Sequence, residues 1–90
     1  MTVELTIIDM KMKTIYLEVD KTITINEIRK LFVEKGGEGA NNQWKYDGEI
    51  LKDDNQRLEN VKGFDSDGMA ISVTTNVRGG NINFSKNLSY

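Results

Sequence analysis

The amino-acid sequence predicts an α+β domain in which a mixed sheet packs on one helix, in the element order β-β-α-β-β. Three observations carry this prediction. Residues 2–8 and 14–20 alternate apolar and polar side chains, which is the pattern of half-buried strands. Residues 25–35 place apolar side chains at helical spacing behind a capping signal. Residues 69–74 alternate again and predict the last strand, and a chain of 90 residues has room for one hydrophobic core.

The first two predicted strands are expected to form a hairpin, because only residues 9–13 connect them. Their inward-facing residues are Val3, Leu5, Ile7, Ile15, Leu17 and Val19. The connection contains no Gly, Asn or Pro, so its turn type cannot be read, and Met12 is expected to adopt an unfavourable backbone conformation. Met10 and Met12 at the hairpin tip have two open interpretations: a contact surface for a partner, or a cover for neighbouring apolar surface.

A capping box predicts where the helix begins. Thr24 can accept a hydrogen bond from the amide of Glu27, whose side chain can accept one from the amide of Thr24. The apolar stripe that follows consists of Ile25, Ile28, Leu31 and Phe32, and the remaining positions carry Glu27, Arg29, Lys30 and Glu34. The cation Lys35 is expected in the last turn, where it suits the helix dipole, and Gly36 and Gly37 end the helix.

Between the helix and the last strand, the sequence predicts short elements and turns. Residues 44–46 form a strand, the Asp-Gly pair at 47–48 a turn, and residues 50–51 a return strand. The irregular segment after them has room for a short 3₁₀ turn. Its apolar anchors are Leu58, Val61 and Phe64.

Composition argues against several classes of function. The chain has no cysteine and no histidine, so its sequence offers no disulfide, no thiol nucleophile, no thiolate metal site and no imidazole base. No Gly-x-Ser-x-Gly motif occurs, and we therefore expect no enzymatic activity and no cofactor. The net charge of −2 carries no electrostatic signature of nucleic-acid binding, and no apolar run is long enough to cross a membrane.

Four segments resemble the ubiquitin family. Residues 13–19 are similar to its second strand, and residues 24–29 to the start of its helix. Residues 47–53 resemble its Gly-centred turn and the Leu and Asp that follow, and residues 77–80 (Val-Arg-Gly-Gly) match its C-terminal tail. The resemblance covers about residues 3–80 and implies a ubiquitin-like β-grasp fold.

The resemblance also implies a function. Ubiquitin-like modifiers are activated at a terminal glycine carboxylate by an ATP-dependent enzyme, pass through thioesters on enzyme cysteines, and end as an isopeptide on a target lysine. Here Gly80 would be the conjugated residue, preceded by Arg78 and Gly79. Because residues 81–90 follow it, the implied protein is a precursor that a processing protease cuts between Gly80 and Asn81.

The implied domain organisation follows from the same match. Residues 1–77 would form the β-grasp domain, residues 78–80 the Arg-Gly-Gly tail, and residues 81–90 a pro-peptide or an extra strand. The partners implied are activating and conjugating enzymes, a processing protease and target proteins, without nucleic acid or membrane. The implied location is the cytoplasm, and the nucleus as well if the organism is eukaryotic.

Several residues depart from the family's pattern. The family's apolar recognition patch corresponds to Met10, Lys45 and Thr74, which with Val77 form the expected partner surface. Two of the three apolar contacts are lost, so ordinary ubiquitin receptors are expected to bind weakly. Asn76 replaces an Arg that activating enzymes read, which argues against the standard ubiquitin activator.

Lysines of the family match only in part. Lys13 and Lys35 align with family lysines and are candidate sites for chain formation, although surface lysines are usually only solvated charges. Glu49 stands where the family carries the lysine of its best-known chains. The chain therefore resembles a diverged relative with partners of its own.

Two alternatives remain open from the sequence. The first is a non-conjugated interaction module in which residues 81–90 pair as an extra strand, because Ile82, Phe84, Leu88 and Tyr90 fall on alternate positions. The protein would then be a monomer or a tail-mediated dimer. The second alternative is a small sulfur carrier that ends in Gly-Gly, a class that shares the β-grasp fold.

Overall fold

The computed structural model describes residues 2–77 of the chain. Their elements are β1 (Thr2–Ile8), β2 (Thr14–Asp20), α1 (Ile25–Glu34), β3 (Asn42–Tyr46), β4 (Glu49–Ile50), a 3₁₀ helix (Leu58–Asn60) and β5 (Met69–Val77). The predicted α+β class is confirmed, with β3 and β4 as the predicted short strand pair. Within these residues, no helix is long and apolar enough to cross a membrane.

The five strands form one mixed sheet in the order β2-β1-β5-β3-β4. β1 runs antiparallel to β2 and parallel to β5, and β3 runs antiparallel to both β5 and β4. The registers align one residue from each strand in a row, here called the cross-sheet row. It consists of Thr14, Ile8, Ser72, Lys45 and Ile50, in the order of the strands.

The core lies between the sheet and α1. β1, β2 and residues 69–73 of β5 alternate buried and exposed side chains, so one face of the sheet packs on the helix and the other remains accessible. The helix contributes Ile25, Ile28 and Phe32 to the core, each at most 1 % exposed. The ring of Phe32 packs edge-to-face on Trp44, with 4.9 Å between the ring centroids.

The local signals that start and end α1 are present. Glu27 N–H donates to Thr24 Oγ1 at 3.2 Å and Thr24 N–H donates to Glu27 Oε1 at 3.0 Å, which confirms the capping box. The helix ends at Glu34, one residue earlier than predicted, and Lys35 is its C-cap instead of a last-turn residue. Gly36 follows with φ of +87°, the left-handed conformation expected of a helix stop.

The position of Arg29 differs from the prediction, which placed it on the polar face of the helix. Arg29 is 4 % exposed and lies on the same face as Ile25, Ile28 and Phe32. Its guanidinium donates to the backbone oxygens of residues 40 and 42, which pins the loop after the helix to the domain. A long cation can be buried here because these oxygens replace the water that it loses.

The turns also follow from local chemistry. Met12 has φ of 64°, which confirms the unfavourable conformation expected at the hairpin tip. Asp47 and Gly48 both have positive φ, at 52° and 81°, as a two-residue type I′ turn requires. The strand bounds shift slightly: β3 begins two residues before the predicted strand, β4 lies one residue before it, and β5 continues to Val77.

Candidate protein-interaction surface

The exposed face of the sheet holds two of the residues predicted to contact partners, and a third lies in the connection after β1. Lys45 lies in the cross-sheet row beside Ser72. Thr74 Oγ1 donates to the backbone oxygen of Gln43 at 3.3 Å, so it sits over β3 next to Lys45. Met10, in the connection after β1, is 39 % exposed. The structure therefore places Lys45 and Thr74 on the exposed face of the sheet, whereas Met10 lies beyond the end of β1.

Asn42 connects Met10 to the last strand. Its side-chain Nδ2 lies 2.8 Å from the backbone oxygen of Thr74 and 2.7 Å from Met10 Sδ. The same methionine side chain packs against Gly39, where any Cβ would collide with it. Sequence reasoning missed Asn42, and nothing in its local pattern would have revealed a partner 32 residues away.

A buried carboxylate fixes the connection between β1 and β2. Asp9 is 2 % exposed, and its Oδ1 accepts from the N–H groups of Lys11 at 2.9 Å and Lys13 at 2.8 Å. Its Oδ2 accepts from the N–H of Glu38 at 3.0 Å, while Met10 N–H donates to Glu38 O. The hairpin is thus tied to the loop after α1. A strand-ending Asp before a tight connection was the available sequence signal.

The hydrogen bonds to Asp9 favour its ionised carboxylate. Burial favours the neutral carboxyl, but hydrogen bonds from the backbone N–H groups of Lys13, Glu38 and Lys11 outweigh it. The pKa of Asp9 is therefore lowered below its ordinary value. At neutral pH the group is an acceptor for all three donors.

Apolar side chains concentrate on the same hairpin. The large apolar residues that remain exposed include Ile8 at 38 %, Met12 at 79 % and Tyr16 at 67 %, besides Met10. Ile8 pairs with Thr14 across the two strands, and Tyr16 stands two residues farther along β2. That diagonal separation is within reach of an aromatic side chain. We call Ile8, Met10, Met12 and Tyr16 the hairpin patch.

The two candidate chain lysines lie elsewhere. Lys13 and Lys35 line one shallow groove at the start of β2, together with Ile15 and Tyr16. Lys13 Nζ lies 3.5 Å from the backbone oxygen of Gly36, on the helix side of the sheet. This groove sits at the outer edge of β2, away from Lys45 and the β5 side of the face.

The conjugation and processing residues lie outside the described residues. These are Arg78, Gly79, Gly80 and Asn81. Val77 is the last residue of β5, and its backbone pairs with Asn42 of β3. The sheet therefore continues to the residue directly before the Arg-Gly-Gly segment. Among residues 2–77, no group of three His, Cys, Asp or Glu side chains converges on a metal position.

Comparisons with solved structures define the fold class. A designed protein based on ubiquitin superposes with a TM-score of 0.71 at 19 % identity, covering 92 % of this chain and 96 % of the other. The ubiquitin-like domain of an Arabidopsis thaliana protein, solved by NMR, gives 0.65 at 25 % identity, with 96 % and 85 % covered. No protein-family model and no curated protein sequence matches the chain.

The chain has a ubiquitin-like β-grasp fold. The two structural neighbours, the mixed five-stranded sheet and the single helix agree on this class. The fold that the sequence resemblance implied is therefore confirmed.

Proposed function

We propose that the protein is a ubiquitin-like modifier made as a precursor, cut after Gly80 and conjugated through the Gly80 carboxylate to lysines of target proteins. One observation carries the proposal: β5 reaches Val77, and Arg78, Gly79 and Gly80 follow it directly in the sequence. Conjugation requires a diglycine that follows a folded domain closely, because glycine carries no side chain to obstruct a narrow catalytic channel.

Each tail residue has a chemical role in this proposal. The Gly80 carboxylate would be adenylated, transferred to an enzyme cysteine as a thioester and then attacked by a lysine amine of the target. Gly79 keeps the approach free of side chains. Arg78 offers a planar fork of donors that carboxylates of an activating enzyme can bind. Asn76, which replaces a family Arg, favours an activating enzyme other than the standard one.

The proposed partners are those that this chemistry needs: an activating enzyme, a conjugating enzyme, a processing protease and the target proteins. The proposed location is the cytoplasm, where these enzymes meet cytosolic targets. Receptors would contact the exposed face of the sheet, where Lys45 and Thr74 replace apolar family residues. We therefore propose receptors that differ from those of ubiquitin.

Intact mass of the protein from its native cells tests the proposal. The expected species ends at Gly80, either free or attached through that glycine to target lysines. A Gly80→Ala variant should remain uncut and unattached, whereas the matched Asn83→Ala variant, changed inside the extension, should be processed normally. Recovery of nothing but protein that ends at Tyr90 would refute the proposal. A sulfur-for-oxygen mass shift at Gly80 would instead indicate a sulfur carrier.

A second candidate is a non-conjugated interaction module in which residues 81–90 act as a strand. The observation that favours it is the position of β2 at the outside of the sheet, which leaves one edge of a seven-residue strand available for pairing. Deleting residues 81–90 should then lower the melting temperature or change the molar mass in solution. If the deletion changes neither, this candidate fails.

A further inference from the structure

The hairpin patch is the largest concentration of exposed apolar side chains in the described part of the chain. Four of the five large apolar residues with high exposure belong to it, and the fifth, Val33, lies on α1. Ile8 stands in the cross-sheet row and Tyr16 on its diagonal, so their side chains share the exposed face. Large apolar residues that are exposed together on one hairpin indicate a contact surface.

The patch is held in place before any partner arrives. Asp9 ties the connection between the strands to the loop after α1 through three backbone N–H groups. Asn42 contacts Met10 Sδ, and Gly39 leaves room for the methionine side chain. Met12 keeps a left-handed backbone conformation at the tip. A surface ordered in this way loses little conformational entropy on binding.

Lysines border the patch at the hairpin tip and on the side toward β3, and carboxylates border its opposite end. Lys11 lies between Met10 and Met12 in the chain and is exposed, with Glu38 as an ion-pair partner at 3.4 Å. Lys45 lies two strands from Ile8 in the cross-sheet row, at about 10 Å given the spacing of strands. Glu18 follows Tyr16 by two residues on the same face of β2, about 7 Å along the strand, and pairs with Glu4 of β1. This acidic pair lies at the end of the patch that points away from the hairpin tip.

We propose that the hairpin patch, with Lys11 and Lys45 at its sides, binds a partner segment that combines apolar residues with acidic ones. The apolar residues of the segment would cover Ile8, Met10, Met12 and Tyr16, and its carboxylates would face the two lysines. This inference deepens the proposed function, because it names the surface that a receptor of the modifier would contact and the chemistry of the receptor segment that would bind there. The inference depends on the proposed function only for the biological role of the surface; binding of such a segment can be measured whether or not the protein is conjugated.

The side chains of the exposed face divide into an apolar part and a polar part. Ile8 and Tyr16 are apolar on β1 and β2, while Lys45 and Thr74 are polar on β3 and β5. The apolar part of the exposed face thus lies over the hairpin, and its boundary toward β3 carries a cation. A partner that matches both features must be apolar on one side and acidic on the other.

Selection of peptides on the full-length protein tests the inference. A library of random peptides displayed on phage is the probe, and the enriched peptides are synthesised and their dissociation constants measured by fluorescence polarisation. We expect enrichment of peptides that carry both apolar and acidic residues. Tyr16→Ser and Lys45→Glu should each weaken their binding by about tenfold or more, as for central contact residues.

Two matched controls separate the patch from general effects. Val33→Ser removes an exposed apolar residue on α1, and Lys62→Glu reverses a lysine that is 85 % exposed in the segment before β5. Both should leave the dissociation constants unchanged within about twofold. Circular dichroism of each variant establishes that the fold is retained, since all four positions are exposed or half-buried.

Every outcome decides the inference. It is overturned if the library yields no binder, if the enriched peptides lack acidic residues, or if Tyr16→Ser and Lys45→Glu bind as tightly as the parent protein. Its failure is distinguishable from failure of the proposed function, because processing and conjugation at Gly80 are read by mass and do not depend on peptide selection.

Discussion

Removal of the Arg29 side chain is expected to destabilise the domain more than any other single truncation of a charged residue among residues 2–77. The side chain is 5 % exposed, and its NH1 donates to the backbone oxygens of Ala40 at 2.7 Å and Asn42 at 3.1 Å. NH2 lies 3.5 Å from the oxygen of Leu51. One guanidinium therefore connects α1 to two other backbone segments, the start of β3 with the loop before it and the residue after β4.

Two further contacts raise the cost of removing it. Nε of Arg29 lies 3.2 Å from Oδ1 of Asp54, a carboxylate that is only 25 % exposed. The guanidinium carbon lies 4.8 Å from the centre of the Trp44 ring, in cation–π geometry. Arg29→Ala leaves a half-buried carboxylate and several buried oxygens without this donor. We expect a loss of about 3–5 kcal/mol in the free energy of unfolding, the usual cost of breaking a buried pair from one side.

Arg29→Lys provides an intermediate case. The ammonium keeps the charge but offers a compact head where the structure uses a planar fork, so it cannot reach all the oxygens at once. We expect it to lose about 1–3 kcal/mol, corresponding to one or two unsatisfied buried groups. The lysine variant is useful because a domain in a chain of 90 residues has a small free energy of unfolding, and Arg29→Ala leaves little of it to measure.

Urea-induced unfolding measures both effects. The single tryptophan, Trp44, is fully buried and reports unfolding by fluorescence, with far-UV circular dichroism as a second probe. Arg57→Ala is the matched control, since its side chain is 59 % exposed and its ion pair is long at 4.0 Å. It should change the free energy of unfolding by less than about 1 kcal/mol. If Arg29→Ala behaves like Arg57→Ala, the structural reasoning about the buried guanidinium is wrong.

Three further predictions follow from single residues. Because hydrogen bonds lower the pKa of folded Asp9, its stabilisation is present above about pH 4 and is lost as pH falls through the folded pKa. The difference in unfolding free energy between the parent and Asp9→Asn should thus shrink in acid, and a pH-independent difference would contradict the assignment. Met12→Gly relieves a positive φ of 64° and should raise the unfolding free energy by about 1 kcal/mol, whereas Lys11→Gly should lower it. Gly37→Ala places a Cβ against the buried ring of Phe32 and should cost about 1–3 kcal/mol in the same urea titration; no loss would show that the ring can move aside.

Local sequence patterns were sufficient to predict the two strands of the hairpin and the start of the helix. The alternation in residues 2–8 and 14–20 and the capping box at Thr24 depend only on neighbours within a few residues, so they can be recognised in the sequence alone. The order of the strands in the sheet cannot be predicted in this way, because it depends on contacts between residues far apart in the chain. The parallel pairing of β1 with β5 joins residues more than sixty positions apart, and no local signal specifies it. The sequence predicted a mixed sheet but did not specify this pairing.

The prediction for Arg29 was wrong although the helical spacing of the buried positions included it. With Ile25, Ile28 and Phe32 this residue completes the spacing of a buried helix face, but its charge suggested a solvent-facing position. The residues that permit its burial are oxygens in segments 11 to 22 positions away, which are not visible in the helix sequence. The partner-surface positions Met10, Lys45 and Thr74 could be placed by alignment, whereas the link through Asn42 could not.

The size of the hairpin patch limits how a partner can use it. Specific complexes bury about 800 Å² on each partner, more than four partly exposed side chains can supply. A bound segment must therefore extend beyond the hairpin, and β5 is the neighbouring strand on the exposed face. Its outward residues there, Ala70 and Ser72, are small and leave room for such an approach. Contact across β5 reaches Lys45 on β3, so the cation lies where an extended interface would end. The binding surface that we propose therefore extends from the hairpin patch across the small side chains of β5 to Lys45.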